Sequence, residues 1–248
     1  MARIAIALLV AVLYIWVIMV TMPYRRNVIQ QQDLTDYYAT QEREFAYAKQ
    51  AYETEKAKPN PNEEQLQLAQ ERLALYCWEK RDYDRAVELL DDLAKKRKPA
   101  EGAPYSEKYV DTLLRLAGVY RDVTNWKVAE MTYQEVMDYD KKFFENTDPN
   151  NVKLARDLNN MGLFYYLKGT SEKEEAARNA ILKQSSEFLN QAIKKYQAKL
   201  GPDSQSEGIA LWNLYLTERD LGNVKEADAI KARAEAIDAK ANRPVKAP

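Results

Sequence analysis

Two sets of polar and aromatic residues recur along this chain at intervals of 43, 45 and 53 residues, and both are of types that recognise polypeptide. The first set is Arg72, Arg115, Asn160 and Asn213. Each stands directly before a large apolar residue: Leu73, Leu116, Met161 and Leu214. Arginine presents a planar fork of donors, and asparagine presents a donor and an acceptor side by side. Either can hydrogen-bond the main chain or a carboxylate of an extended peptide. The second set, two helical turns on, reads Trp78, Arg121, Tyr166 and Arg219. Trp78 and Tyr166 offer broad apolar contact with few rotamers to lose. A solvated helix face would carry the same residue types, so the pattern leaves both readings open.

The rest of the composition narrows the chemistry. The 248 residues include no histidine, which removes His-based general base catalysis, Ser-His-Asp and Cys-His arrangements and most zinc sites. Cys77 is the single cysteine, so no intrachain disulfide can form, and it occupies a core position as a small hydrophobe. Acidic pairs such as Asp91-Asp92 and Glu174-Glu175 are adjacent, and on a helix neighbours diverge by about 100°. They do not converge on a metal. The seven glycines form no phosphate-cradling loop. We therefore expect no catalytic residues, no metal site and no cofactor. A formal net charge of −1 supplies no field for nucleic acid.

These residues must be positioned by helices. Alanine, leucine, glutamate, lysine, glutamine and tyrosine dominate, and all but tyrosine are strong helix formers. Four units can be laid in register over residues 63–238, at about 63–100, 104–147, 150–200 and 203–238. Each reads as a first helix, a turn, and a second helix with alanine at a fixed offset. The second unit, for example, has Leu113, Leu116, Ala117, Tyr120, Trp126, Ala129, Tyr133 and Val136. Ala74, Ala117 and Gly162 on the first helices, and Ala86, Ala129 and Ala227 on the second, mark the closest helix approaches. The seventeen tyrosines fall mostly at core or stripe positions, including Tyr120, Tyr133 and Tyr165.

This pattern resembles the tetratricopeptide repeat, a helix-turn-helix of 34 residues, over roughly residues 64–237. The similar segments Pro104-Tyr105-Ser106-Glu107-Lys108, Asp148-Pro149-Asn150-Asn151 and Leu200-Gly201-Pro202-Asp203-Ser204 precede three of the first helices. With Leu158-Asn159-Asn160-Met161-Gly162 they resemble the kinesin-light-chain subtype. The resemblance implies an all-α fold, a right-handed α-solenoid of about four hairpins. It also implies that the first helices line a concave groove, with the two residue sets facing a bound partner protein or peptide. The carboxylate clamp of the chaperone-binding subclass is not reproduced. Glu71 and Leu75 of the first unit, or Leu114 and Gly118 of the second, stand where lysine and asparagine belong.

Two departures from the repeat stand out. The third unit carries about eleven extra residues around Thr170–Arg178, with its second helix expected to resume near Ser185. The insertion reads either as a partner contact or as tolerated surface, and the hairpin is taller by about three turns if the extra residues are helical. The fourth unit has Tyr215 at a small-residue position and Glu218 at an aromatic one, a divergence expected of a terminal unit with one solvated face. Gly222, Val224, Ala227 and Ala234 continue its pattern.

Residues 1–23 read as a transmembrane signal anchor. Ile4–Met22 is uncharged and, as a helix, spans roughly 28 Å of lipid bilayer. A cleaved signal peptide is the alternative, but Val20-Thr21-Met22-Pro23 is not a small-x-small cleavage site. The chain is thus expected to be single-pass. Arg3 and the α-amino group on one side nearly balance Arg25 and Arg26 on the other, and the reading places the repeats extracytoplasmic by a narrow margin. Residues 24–62 form a juxtamembrane helix and linker. Leu34, Tyr38, Phe45, Ala48 and Tyr52 share one stripe, either capping the first hairpin or forming a short self-associating coil. Pro59 and Pro61 end that helix. Residues 239–248 read as a disordered tail. The expected function is a membrane-anchored interaction scaffold, with a permanent accessory subunit of a membrane complex as the alternative.

Overall fold

The computed structural model describes residues 39–241, and among them every regular element is an α-helix. No described helix is long and apolar enough to cross a membrane. The expected span Ile4–Met22, Leu34 and Tyr38 of the juxtamembrane stripe, and residues 242–248 of the expected tail lie outside the described residues.

The chain divides into two compact parts, residues 1–76 and 77–248, with the boundary in the last turns of one helix. In the first part, α1 occupies residues 39–56 and α2 begins at Glu63, running to Glu79. Ala48 and Tyr52 of the stripe are buried, as are Leu66, Leu73 and Ala74. The linker carrying Pro59 and Pro61 is fixed by Glu55, which accepts from Lys58 Nζ at 2.5 Å and from the Asn62 amide at 2.8 Å.

The second part follows with α3 (Tyr83–Arg97), α4 (Glu107–Asp122), α5 (Trp126–Phe144), α6 (Val152–Ser171), α7 (Glu175–Leu200), α8 (Gln205–Asp220) and α9 (Val224–Ala241). Consecutive helices pack on one another from α3 to α9, and α6 also meets α8. The starts are set by caps of ordinary kind. Ser106 accepts from the Tyr109 amide, Asn125 from Val128, Asn151 from Lys153 and Ser204 from Glu207, each satisfying a donor that the first turn leaves free.

Three of the turns between paired helices are the same device. Arg81, Thr124 and Gly222 adopt left-handed backbone, with φ of 61°, 58° and 84°. After each, an amide reaches back five residues to a helix carbonyl: Asp82 to Cys77, Asn125 to Tyr120 and Asn223 to Glu218, at 2.8–2.9 Å. This is the Schellman closure, which satisfies orphan carbonyls at a helix end.

The third unit departs from it. The equivalent residue, Gly169, stays inside α6 and is buried, and α6 continues to Ser171. The second helix starts at Glu175, well before the expected Ser185, capped by the Glu174 carboxylate. The extra residues are therefore a packed extension of the hairpin. Leu182 is fully buried, and a methyl added to Gly169 would lie 2.9 Å from its Cδ2.

The core is continuous across α4 to α9. Phe164 lies at its centre with no exposed area, its ring 5.9 Å from Trp126, 5.7 Å from Tyr133 and 5.2 Å from Tyr165. Each fully buried side chain of this size stabilises the fold by about 1.5–3 kcal/mol. Ala117, Ala129 and Ala227 are buried to 1% exposure or less, as close helix approach requires.

Two readings of the fourth unit need correction. Glu218 does not face solvent. It is buried at 4%, and accepts from Ser186 Oγ and from Asn223 Nδ2 at 2.6 Å, closing the α8–α9 turn. Val224 is 59% exposed at the start of α9, because the helix begins there before its apolar face turns inward. Residues 239–241, expected to belong to a disordered tail, are instead the last residues of α9.

Candidate interaction face

The second residue set does not stand free: Trp78 and Tyr166 bond across neighbouring units, and Arg121 and Arg219 bond the adjacent aspartate of their own helix. Trp78, near the end of α2, donates Nε1–H to Asp122 Oδ2 at 2.8 Å. Arg121 donates from Nε and Nη2 to the other oxygen of the same carboxylate at 2.9 and 2.8 Å. Tyr166 and Arg219 repeat the arrangement on Asp220. The phenol donates to Oδ2 at 3.1 Å, and the guanidinium donates to Oδ1 with two contacts of 3.2 Å. One carboxylate thus collects an aromatic donor from the preceding first helix and an arginine from its own. Partial burial and Asp220 together raise the Tyr166 phenol above its ordinary range, so it remains a donor at neutral pH. Gly118 makes room for the Trp78 ring, because a Cβ there would stand 2.6 Å from Cη2.

The first set is used unevenly. Asn213 donates to Asn159 Oδ1 at 3.0 Å, an amide pair that ties α8 to α6. Asn160 is half-buried on the same helix and hydrogen-bonds no described side chain. Arg115 is half-buried on α4. Arg72 is exposed in the first part. Nearer the starts of α4 and α6, Lys153 donates to Glu107 at 2.8 Å, and the Arg156 guanidinium lies 3.8 Å from Asp111. Salt bridging with Lys153 keeps the Glu107 carboxyl below its usual range.

Asp122, Asp220 and Asn159 complete the face and were not among the candidate binding residues read from the sequence. The two aspartates had a visible signal: the dipeptide Arg-Asp at 121–122 recurs at 219–220. Asn159 had none, since it is one residue from Asn160 and about 100° around the helix. Among the described residues, no group of three or more acidic or cysteine side chains is arranged to hold a metal ion.

No protein-family model matches the chain, and no curated protein matches it. Solved structures do. The crystal structure of BtubC (BKLC) from P. vanneervenii superposes with a TM-score of 0.60 at 18% identity, over 87% of this chain and 80% of that one. The nearly identical TPR-like repeats of a putative kinesin light chain from Podosopora anserina superpose with a TM-score of 0.60 at 16% identity, over 88% of this chain and 98% of theirs. A single-substitution variant of those repeats gives 0.62 at 16% identity, over 88% and 97%. The protein therefore has the TPR-like helical-repeat fold, and its structural neighbours are kinesin-light-chain-type repeats.

Proposed function

We propose that the chain is a non-catalytic interaction scaffold, held at a membrane by Ile4–Met22, that binds a partner protein or extended peptide along its first helices. The observation that supports this most directly is Asn160. Its amide is half-buried on a face whose neighbouring polar groups are tied to one another, and it hydrogen-bonds no described side chain. A donor and acceptor held on a braced helix can read a main chain with little ordering cost. In TPR arrays this face is the concave one.

The alternative, a permanent accessory subunit, draws on the aromatic residues. Trp78, Tyr166 and Trp212 have their polar ends satisfied within the chain, Trp212 by Asp238 Oδ2 at 2.9 Å. That leaves apolar ring surface for a fixed interface.

The test is quantitative capture from detergent-solubilised membranes, comparing the full-length protein with Asn160→Ala and Arg115→Ala after circular dichroism confirms helicity. Weakened, substoichiometric capture of one partner supports the groove. Retention of all partners at fixed stoichiometry in both variants refutes it and favours the accessory subunit.

A further inference from the structure

The joint between the second and third hairpins holds two carboxylates almost entirely out of water. Asp140 on α5 is fully buried, and Asp157 on α6 keeps 2% of its exposure. One guanidinium serves both. Arg156 Nη2 donates to Asp140 Oδ2 at 3.1 Å, and Nε and Nη2 each reach Asp157 Oδ1 at 3.2 Å. Three buried polar atoms are left without a conventional partner: Asp140 Oδ1, Asp157 Oδ2 and the Tyr105 hydroxyl. They belong to α5, α6 and the segment leading into α4. The Asp157 carboxyl and the Tyr105 hydroxyl both lie against the Asp140 carboxylate.

Two ionised carboxylates here would leave an excess negative charge in a low-dielectric joint. They would also leave Asp157 Oδ2 with no hydrogen to accept, since the Tyr105 hydroxyl lies against Asp140, and like charges buried side by side do not both ionise. A single proton removes both problems. It makes Asp157 a donor to Asp140 and leaves one carboxylate to balance Arg156.

We propose that Asp140 and Asp157 share one proton at neutral pH and act as a latch, so that releasing the proton loosens α5 from α6 at this joint. The surrounding groups are consistent with a single titrating unit. Burial first, and then Asp140, push the Asp157 carboxyl up to about 8, and burial also raises Asp140. Tyr105 is driven well above its ordinary range and Tyr196 of α7 is pushed up to about 12, both chiefly by burial. Glu107 is held ionised by Lys153, whose ammonium also lies 4.3 Å over the Tyr105 ring. Asp111 completes the set, 3.8 Å from Arg156.

The experiment has two arms on the full-length protein. Infrared titration follows the carbonyl stretch of protonated carboxyl groups. One such group is expected to persist past about pH 7 and to vanish in Asp157→Asn, whose side chain is nearly isosteric. Hydrogen exchange read by mass spectrometry follows peptides spanning the end of α5 and the start of α6. Beyond the intrinsic base-catalysed rate, protection there is expected to fall by up to about tenfold per pH unit between about pH 6 and 8, as one-proton linkage requires. Asp157→Asn is expected to abolish that dependence. Absence of a protonated carboxyl above about pH 6 overturns the proposal, as does an unchanged pH dependence in Asp157→Asn. Should that variant fail to fold, the infrared titration of the unmodified chain decides alone.

Discussion

Gly162→Ala is the most direct challenge to the packing of the third hairpin. A Cβ on Gly162 would stand 2.5 Å from Leu189 Cγ, 2.7 Å from Cδ2 and 3.3 Å from the Leu189 backbone nitrogen. The leucine side chain cannot swing clear without losing its fully buried position, and the nitrogen belongs to α7 itself. Overpacking of this kind costs about 1–3 kcal/mol. Against it, alanine gains about 0.5–1 kcal/mol over glycine in a helix interior. The net expectation is destabilisation by about 1–2 kcal/mol. With a urea slope of about 2 kcal/mol/M, the midpoint of unfolding by far-UV circular dichroism falls by roughly 0.5–1 M. The sign should reverse in a Leu189→Ala background. There the added methyl enters space the leucine has left, and Gly162→Ala should become neutral or stabilising, a coupling of about 2 kcal/mol. An unchanged or raised midpoint in the otherwise unmodified protein would show that α6 and α7 separate freely, and would refute the close approach.

The other predictions concern turns and protons. Glu218→Tyr restores the aromatic residue that the other units suggest, yet it should lower stability by about 1–3 kcal/mol. Ser186 and Asn223 lose their acceptor, and a raised thermal midpoint would contradict this. Thr124→Gly should raise stability by roughly 0.5–1 kcal/mol, because a β-branched residue sits at φ 58° in the α4–α5 turn, and calorimetry reads the sign. The Asp157 carboxyl is raised from 3.8 when unfolded to about 8 when folded, so the folded state holds its proton across that window. Its stabilisation is complete below about pH 4 and is lost as pH rises to about 8, by at most about 1.4 kcal/mol per unit. Urea midpoints that rise over that interval would contradict the assignment.

How much of this was legible depended on whether a residue acts within its own unit or between units. The small residues Ala117, Ala129 and Gly162 announced close helix approach, because only small side chains permit it and their spacing repeats. The turns carried comparable signals in Asp82, Asn125 and Asn223, each suited to begin a helix after a left-handed residue. Bonding across units was less visible. Whether Asn159 or Asn160 meets Asn213 depends on the rotation of α6 against α8, which composition does not encode. Asp140 and Asp157 looked like any surface acids of a helical protein, since nothing local marks a charge that the next helix will cover. The insertion was correctly located near Thr170 but its second helix was placed too late. Residues 175–184 have little strong apolar periodicity, and Leu182 is the one fully buried side chain among them.

The taller third hairpin has a consequence for the fidelity of folding. Arrays of near-equal units face an ambiguity that ordinary domains do not, because one hairpin can settle in its neighbour's berth and still bury most of its apolar stripe. The last turn of α6 and the first turns of α7 have no counterpart elsewhere in the described chain. Gly169 of α6 receives Leu182 of α7 there. A mis-seated third unit would leave that extra surface without a matching height beside it. The insertion is thus an address written in length, marking which hairpin stands third.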